Sequence, residues 1–415
     1  MHRRDLLKST CLLGAAALGG LGCGDNSEMT WITSANAQEP ALPNFETTYL
    51  QPDDAEDVSA LALLPSFGPI PYGASDGNIH LTYEIGVTNV SLNRVRIDKI
   101  EILDDGNRSR VLRTIEGEGV GRVMSLIAGG DDINELASSQ TGTLYLDSWF
   151  PPEQPTPEIL VHRISGTDLA LDTPMVTVMG PRLQVRSDIA IPILQPPARG
   201  DGWVCAEACC GRSHHRRTPI ILNGEIFLSQ RYAIDFVQLV DGQLFSGDPF
   251  VLENWFCYGV ELLAAAGGVV VSVANDLREW PIGEHGVTGK AGAAGNHVVV
   301  DMGNGMSYVY CHMQPGSVKV RVGDRVTVGQ PLGLVGNSGA TGAPHLHMHV
   351  ISGTDIFRGQ AIPWGFDRYT VTGSFPTFAD LVPEDLGGPV NRVDVTPYEV
   401  RDAYPQELRV VNFRP

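Results

Sequence analysis

Apolar residues recur along most of this chain with a period of two, the spacing of a strand that lays one face on a core. Leu81, Tyr83, Ile85 and Val87 alternate with Thr82, Glu84, Gly86 and Thr88. Val95 and Ile97 continue the pattern, and Ile100 and Ile102 resume it one position out of step. That slip predicts a bulge between the pairs. Asp105-Gly106-Asn107 marks a turn, and apolar stretches at 143–150, 159–164 and 175–179 predict further short strands. Together they predict an antiparallel β-sandwich, immunoglobulin-like in layout, over residues 76–190. No cluster of metal ligands or nucleophile–base pair falls within it, so a supporting role is expected. The stretch PILQPPARGDG, residues 192–202, predicts a domain boundary. A second domain, 203–386, is again strand-rich, at 232–239, 269–273, 297–301, 307–312, 326–334 and 345–351. A Gly-rich insert occupies 274–296, and residues 387–415 form a tail without an assigned role. The fold expected is all-β, in two domains.

The first residues carry an address rather than structure. Arg3-Arg4-Asp5-Leu6-Leu7-Lys8 precedes an apolar run from Cys11 to Leu21, too short to span a bilayer. This layout predicts a signal peptide over 1–37, resembling a twin-arginine signal, with Ala35-Asn36-Ala37 before Gln38 as its cleavage site. Leu21-Gly22-Cys23 offers a second exit, a lipobox-like site with Gly20 where Leu is usual; lipidation of Cys23 would be the one tie to a membrane. Both exits imply an exported protein of the periplasm or cell envelope. Residues 38–75, Pro-rich and acidic, are expected to be a linker.

Composition adds limits. The chain has 415 residues, enough for two domains, and 43% hydrophobic residues, enough for real cores. Its 47 Gly and 28 Pro suit a turn-rich β protein. A net charge of −19 argues against nucleic acid as a partner. Five of the seven cysteines lie beyond the signal region: Cys205, Cys209, Cys210, Cys257 and Cys311. An oxidising compartment predicts a disulfide among the 205–210 group, with Cys257 as partner. The alternative, a zinc knuckle from Cys205, Cys209, Cys210 and His214, matches no Cys-x2-Cys spacing. Cys311 is expected to point away from its neighbour His312, into the core.

The chemistry concentrates in GNSGATGAPHLHMHV, residues 336–350. On a strand His345, His347 and His349 project to one side, while Leu346, Met348 and Val350 face the core. A lone histidine reads as a surface or core residue. Three in alternation after a glycine-rich turn read as a metal site, because imidazole is a favoured donor for zinc.

Here the chain resembles a known family. Tyr308-Val309-Tyr310-Cys311-His312-Met313, the segment VGDRVTVGQPLG at 322–333, and Gly339 through Val350 are similar to the C-terminal half of lysostaphin/LytM-type peptidases. The resemblance runs from Ala233 to Ile351. It implies a LytM-like antiparallel β domain and a Zn2+ ion. It further implies Asp235 and His347 as metal ligands and His345 and His312 as catalytic residues. The family's first motif, His-x-Gly-x-Asp, departs here to Arg231-Tyr232-Ala233-Ile234-Asp235. Guanidinium has no lone pair to donate, so Arg231, placed by alternation on the Asp235 face, cannot replace the missing ligand. His215, or else His214, is the candidate replacement. Both precede strand 220–222, and Asn223-Gly224 is a chain reversal that would fold that strand back on 226–235.

With Asp235, His347 and His215 as ligands, a fourth position stays open for water, as in catalytic zinc sites. His345 would serve as general base and His312 would stabilise the oxyanion, or the two would exchange roles. His349, at a position usually acidic in the family, is either a partner that orients His347 or a surface residue. The resemblance implies hydrolysis of peptidoglycan cross-links or glycine-rich peptides. The rival is an inactive binder of cell-wall peptide, or an activator of other hydrolases, favoured by loss of the first ligand and opposed by the four residues retained. The 322–333 segment also occurs in biotinyl and lipoyl carriers, but no lysine stands at the turn 336–342 to carry the group.

Overall fold

The computed structural model describes residues 59–126, 133–171, 173–174, 178–284, 290–382 and 390–414. The expected signal peptide, Cys23 and the first part of the linker lie outside these residues. Strands dominate the regular structure of the described chain, which divides into two compact units between Pro192 and Ile193.

The first unit contains two antiparallel sheets. In one, β1 (Leu61–Pro65) and β5 (Thr141–Phe150) flank β2 (Ile79–Asn89). In the other, β3 (Val95–Asp104) lies between β4 (Asn107–Glu116) and β6 (Ile159–Asp168). The expected bulge sits between Ile97 and Lys99. Leu81, Tyr83, Ile85 and Val87 from one sheet share an apolar cluster with Val95, Ile97, Ile100 and Ile102 from the other. Three features depart from the pattern. The linker contributes β1. The polar β4, with Ile115 its buried apolar side chain, carries too little periodicity to announce itself. Strand β2 is not half-buried, because His80, Thr82 and Glu84 are covered as well. Their polar atoms find partners: Thr82 Oγ1 donates to Asp147 Oδ1 at 3.0 Å, and His80 lies between Asp76 and Asp147.

The second unit is organised around one large sheet. Its strands are β7 (Gly200–Glu207), β10 (Ile234–Gln238), β11 (Gly268–Ala274), β12 (Asn296–Asp301), β13 (Met306–Met313), β14 (Leu346–Ser352), β15 (Gly365–Ser374), β16 (Val393–Ala403) and β17 (Arg409–Phe413). A hairpin, β8 (Ile220–Leu222) with β9 (Glu225–Phe227), stands apart from it. The spatial order is β15-β17-β7-β10-β14-β13-β12-β11, with β16 on β15. The segment after Gly387 is therefore no tail: β16 and β17 are members of the sheet, and β17 bonds β7 directly. Tyr308, Tyr310, Leu346, Met348, Ile234 and Phe236 are all fully buried. They alternate with the side chains of the site described next.

Candidate active site

Strand pairing places a row of functional groups across four adjacent strands. Glu207 of β7 is opposite Asp235 of β10, Asp235 is opposite His347 of β14, and His347 is opposite Cys311 of β13. Residues directly opposite in an antiparallel ladder share a face, so all four side chains stand on one side. Asp235 and His347 thereby meet: the carboxylate Oδ1 lies 2.9 Å from His347 Nδ1. Cys311 is thus on the His347 face rather than turned away from the site. It packs there with Val309, Ile356 and Phe357, so it is a core residue from a different direction than alternation implied. His312 escapes alternation because its backbone is left-handed, with φ 61°.

The loops that precede the strands bring in the remaining rings. His345 lies two residues ahead of His347, bridged to Gly336, and its Nε2 is 3.4 Å from Asp235 Oδ1. His312 and His345 have ring centres 4.8 Å apart. Their loops approach closely at two glycines. A Cβ on Gly339 would lie 2.4 Å from the backbone nitrogen of Gly295, and φ there is +86°. The junction holds His312, whose backbone N–H donates to the Ala294 carbonyl at 3.0 Å and whose Nδ1 lies 2.8 Å from the Ser338 carbonyl.

His215 also arrives. It sits on the short helical turn His214–Arg217, buried, with Nε2 3.3 Å from Asp235 Oδ1 and its ring 4.7 Å from that of His347. The route differs from the one expected. Hairpin β8–β9 does turn at Asn223-Gly224, both at positive φ, but β9 ends at Phe227 and never pairs with β10. What carries His215 to the site is β7, a strand hidden from pattern reading by its Gly-Asp-Gly start. It runs beside β10 and ends at Glu207, seven residues before His214. Glu207 itself was not anticipated; its carboxylate lies 3.3 Å from His214 Nδ1.

Arg231 lies outside β10, which begins only at Ile234, so strand alternation does not fix its side chain relative to Asp235. Arg231 occupies the turn before it, buried, with its guanidinium 5.8 Å from the Tyr232 ring centre. The expected Cys257 disulfide is also absent. Cys209 and Cys210 are joined to each other, while Cys257 is a free thiol donating to the Pro344 carbonyl at 3.1 Å. Adjacent residues close a ring without any partner strand, which spacing arguments do not consider.

The electrostatics follow from burial and proximity. Burial raises the Asp235 pKa, but the His215 and His345 rings outweigh it and hold the carboxyl well below its ordinary range. Burial pulls His215 down to about 4 against the pull of Asp235. It also holds His312 well below an ordinary imidazole, reinforced by His345 and His347. For His345 the attraction of Asp235 exceeds burial and raises the pKa. His349 is fully buried, not a surface residue, and burial next to His347 lowers its pKa strongly.

The donors fit a divalent cation. Carbonyl oxygens only accept, so the Nδ1 atoms of His312 and His345, 2.8 Å from Ser338 O and 2.9 Å from Ala343 O, carry the protons. The neutral His345 ring then presents a lone pair to a carboxylate oxygen that also offers only lone pairs. Three imidazole nitrogens converge on that one oxygen at 2.9–3.4 Å. Facing acceptors repel unless a proton or a cation lies among them, and the raised pKa of His345 reflects the pull of Asp235 on positive charge at this point. Ligand atoms on a tetrahedron with bonds of ~2.0–2.1 Å sit about 3.3 Å apart, close to the distances found. His215 Nδ1, buried and without a hydrogen-bond partner, leaves that ring anchored from its Nε2 side alone.

Comparison with known proteins adds a family match. Residues 256–358 match the model of Peptidase family M23. That segment includes His312, His345, His347 and His349 but begins after His215 and Asp235. A stretch of 58 residues is 41% identical to the peptidoglycan DD-endopeptidase ShyA of Vibrio cholerae, covering 14% of this chain and 13% of that protein. Among solved structures, the catalytic domain of lysostaphin from Staphylococcus simulans aligns at 20% identity over 40% of this chain and 88% of its own, with TM-score 0.21. A zinc-containing peptidase from Vibrio cholerae aligns at 12% identity over 72% and 85%, with TM-score 0.20.

Proposed function

We propose that this chain, whose residues 256–358 match the model of peptidase family M23, is an exported zinc endopeptidase that hydrolyses peptide bonds in peptidoglycan cross-links. The observation that carries the reading is the apposition of Asp235 and His347, 2.9 Å apart on neighbouring strands, with His215 completing the donor set. Asp235, His347 and His215 would hold the ion. When bound, zinc polarises a peptide carbonyl and lowers the pKa of water to near neutrality.

The chain's own residues handle the proton and the substrate. His345 is tied through Nδ1 to the Ala343 carbonyl and to the hydroxyl of Thr341, 3.3 Å away. Its Nε2 therefore points into the cluster as the proton acceptor. His312, tied through Nδ1 to Ser338, faces the same space with its own Nε2. A proton taken up by either ring turns it into a donor for the oxyanion and then for the leaving amine. The inactive-binder alternative drew its support from the loss of a ligand at Arg231. A buried imidazole nitrogen 3.3 Å from Asp235 weakens that support.

The test is digestion of purified cross-linked muropeptides by the full chain, with and without a zinc chelator, beside Asp235→Ala. The proposal predicts cleavage that the chelator abolishes, zinc restores and the variant lacks. Intact muropeptides after zinc addition would instead favour the binder.

A further inference from the structure

His347 has two ring nitrogens, and each faces a different buried group. Nδ1 lies 2.9 Å from Asp235 Oδ1, and Nε2 lies 3.0 Å from Nδ1 of His349. The two rings meet edge-on, with centres 5.0 Å apart and planes at 77°. Residues two apart on a strand share a face, so β14 makes the contact without any distortion. Neither ring is open to water, His349 being 0% and His347 3% exposed. A proton between the two nitrogens must therefore belong to one of them, with no solvent to take its place.

We propose that His349 is a positioning residue that sets the tautomer of His347. His349 Nδ1 accepts a hydrogen bond from His347 Nε2–H, which leaves the His347 Nδ1 lone pair directed at the metal site beside Asp235. This rests on the zinc reading given above. Metal-bound histidines generally donate their second N–H to a carboxylate, a carbonyl or water. Here a second imidazole, buried on the next same-face position of the strand, does so. On this side of the sheet Ile356 and Phe357 join Val309 and Cys311 in a small apolar cluster, and the Ile356 backbone lies against the His349 ring. Val309 is directly opposite His349 in the ladder.

The experiment compares full-chain wild type, His349→Leu and His349→Gln. Zinc affinity is measured by competition with a chromogenic chelator. The imidazole tautomers are read by long-range 1H–15N NMR on protein labelled at histidine nitrogen. Zinc-loaded wild type is expected to show His347 protonated at Nε2. His349→Leu, which offers no acceptor, is expected to bind zinc roughly 10–100-fold more weakly. His349→Gln, whose amide oxygen accepts, is expected to recover most of that loss. Equal zinc affinity in wild type and His349→Leu overturns the inference while leaving the zinc reading intact. So does equal weakening in both variants, which would mark His349 as packing alone. Should His349→Leu fail to fold, the tautomer in wild type still decides, and a His347 ring without a proton on Nε2 overturns the proposal. Wild type that takes up no zinc overturns both this inference and the reading it rests on.

Discussion

Raising the pH from 6 to 9.5 is expected to remove about 3 kcal/mol of stability from the N-terminal unit, through His80. The ring is buried in β2, with Nε2 3.1 Å from Asp76 and Nδ1 3.3 Å from Asp147. Burial alone lowers an imidazole pKa, but the two carboxylates outweigh it and raise His80 from 6.5 to about 9. Asp76, in the same pair, is held below its ordinary range. A raised pKa means that the protonated ring is bound more tightly in the folded state. The contribution is therefore complete below the unfolded value of 6.5 and is lost as pH climbs through about 9. The margin corresponds to about 3 kcal/mol, roughly a 100-fold change in the opening equilibrium. Hydrogen exchange by mass spectrometry on β2 and β5 peptides reads it locally, once rates are corrected for intrinsic pH dependence. His80→Gln keeps a polar side chain of similar reach but does not titrate, so it should lack this loss of protection. Equal pH dependence in wild type and His80→Gln would refute the reasoning.

Two further outcomes test the site. His345→Ala and His312→Ala are each expected to lower kcat by about 10²–10⁴ while zinc content stays at the wild-type level, and the double variant should lose less than the product. Gly339→Ala places a Cβ 2.4 Å from the Gly295 nitrogen, at a φ that already costs about 1 kcal/mol. It should lower both Tm and activity. Gly316→Ala, at φ +73° in open space, should show only the conformational cost and keep full activity.

Much of this arrangement was legible from the chain, and its failures have physical causes. Asp235 and His347 sit inside apolar runs whose alternation is strong, so their shared face could be anticipated. Alternation was carried too far at Arg231, because the strand begins at Ile234 and the residues before it turn. It also failed at His312, where a left-handed backbone re-aims the ring. Strand β7 opens with Gly-Asp-Gly and is then buried at every position from Trp203 to Ala206, and β16 is mostly exposed, so neither shows a period-two stripe to reveal it. Both are specified by the strands beside them, which single-segment reading does not see. His349 likewise meets the backbone of Ile356, beyond the end of its own strand.

The measurement that bears most directly on the account is metal content by mass spectrometry of the purified full chain, alongside His215→Ala, after dialysis against trace zinc. The account predicts about one zinc per wild-type chain and a large loss in the variant, because His215 supplies the nitrogen that Arg231 cannot. Zinc held at full occupancy in both proteins would contradict the proposed ligand set. A wild type that stays metal-free would contradict the metal centre itself.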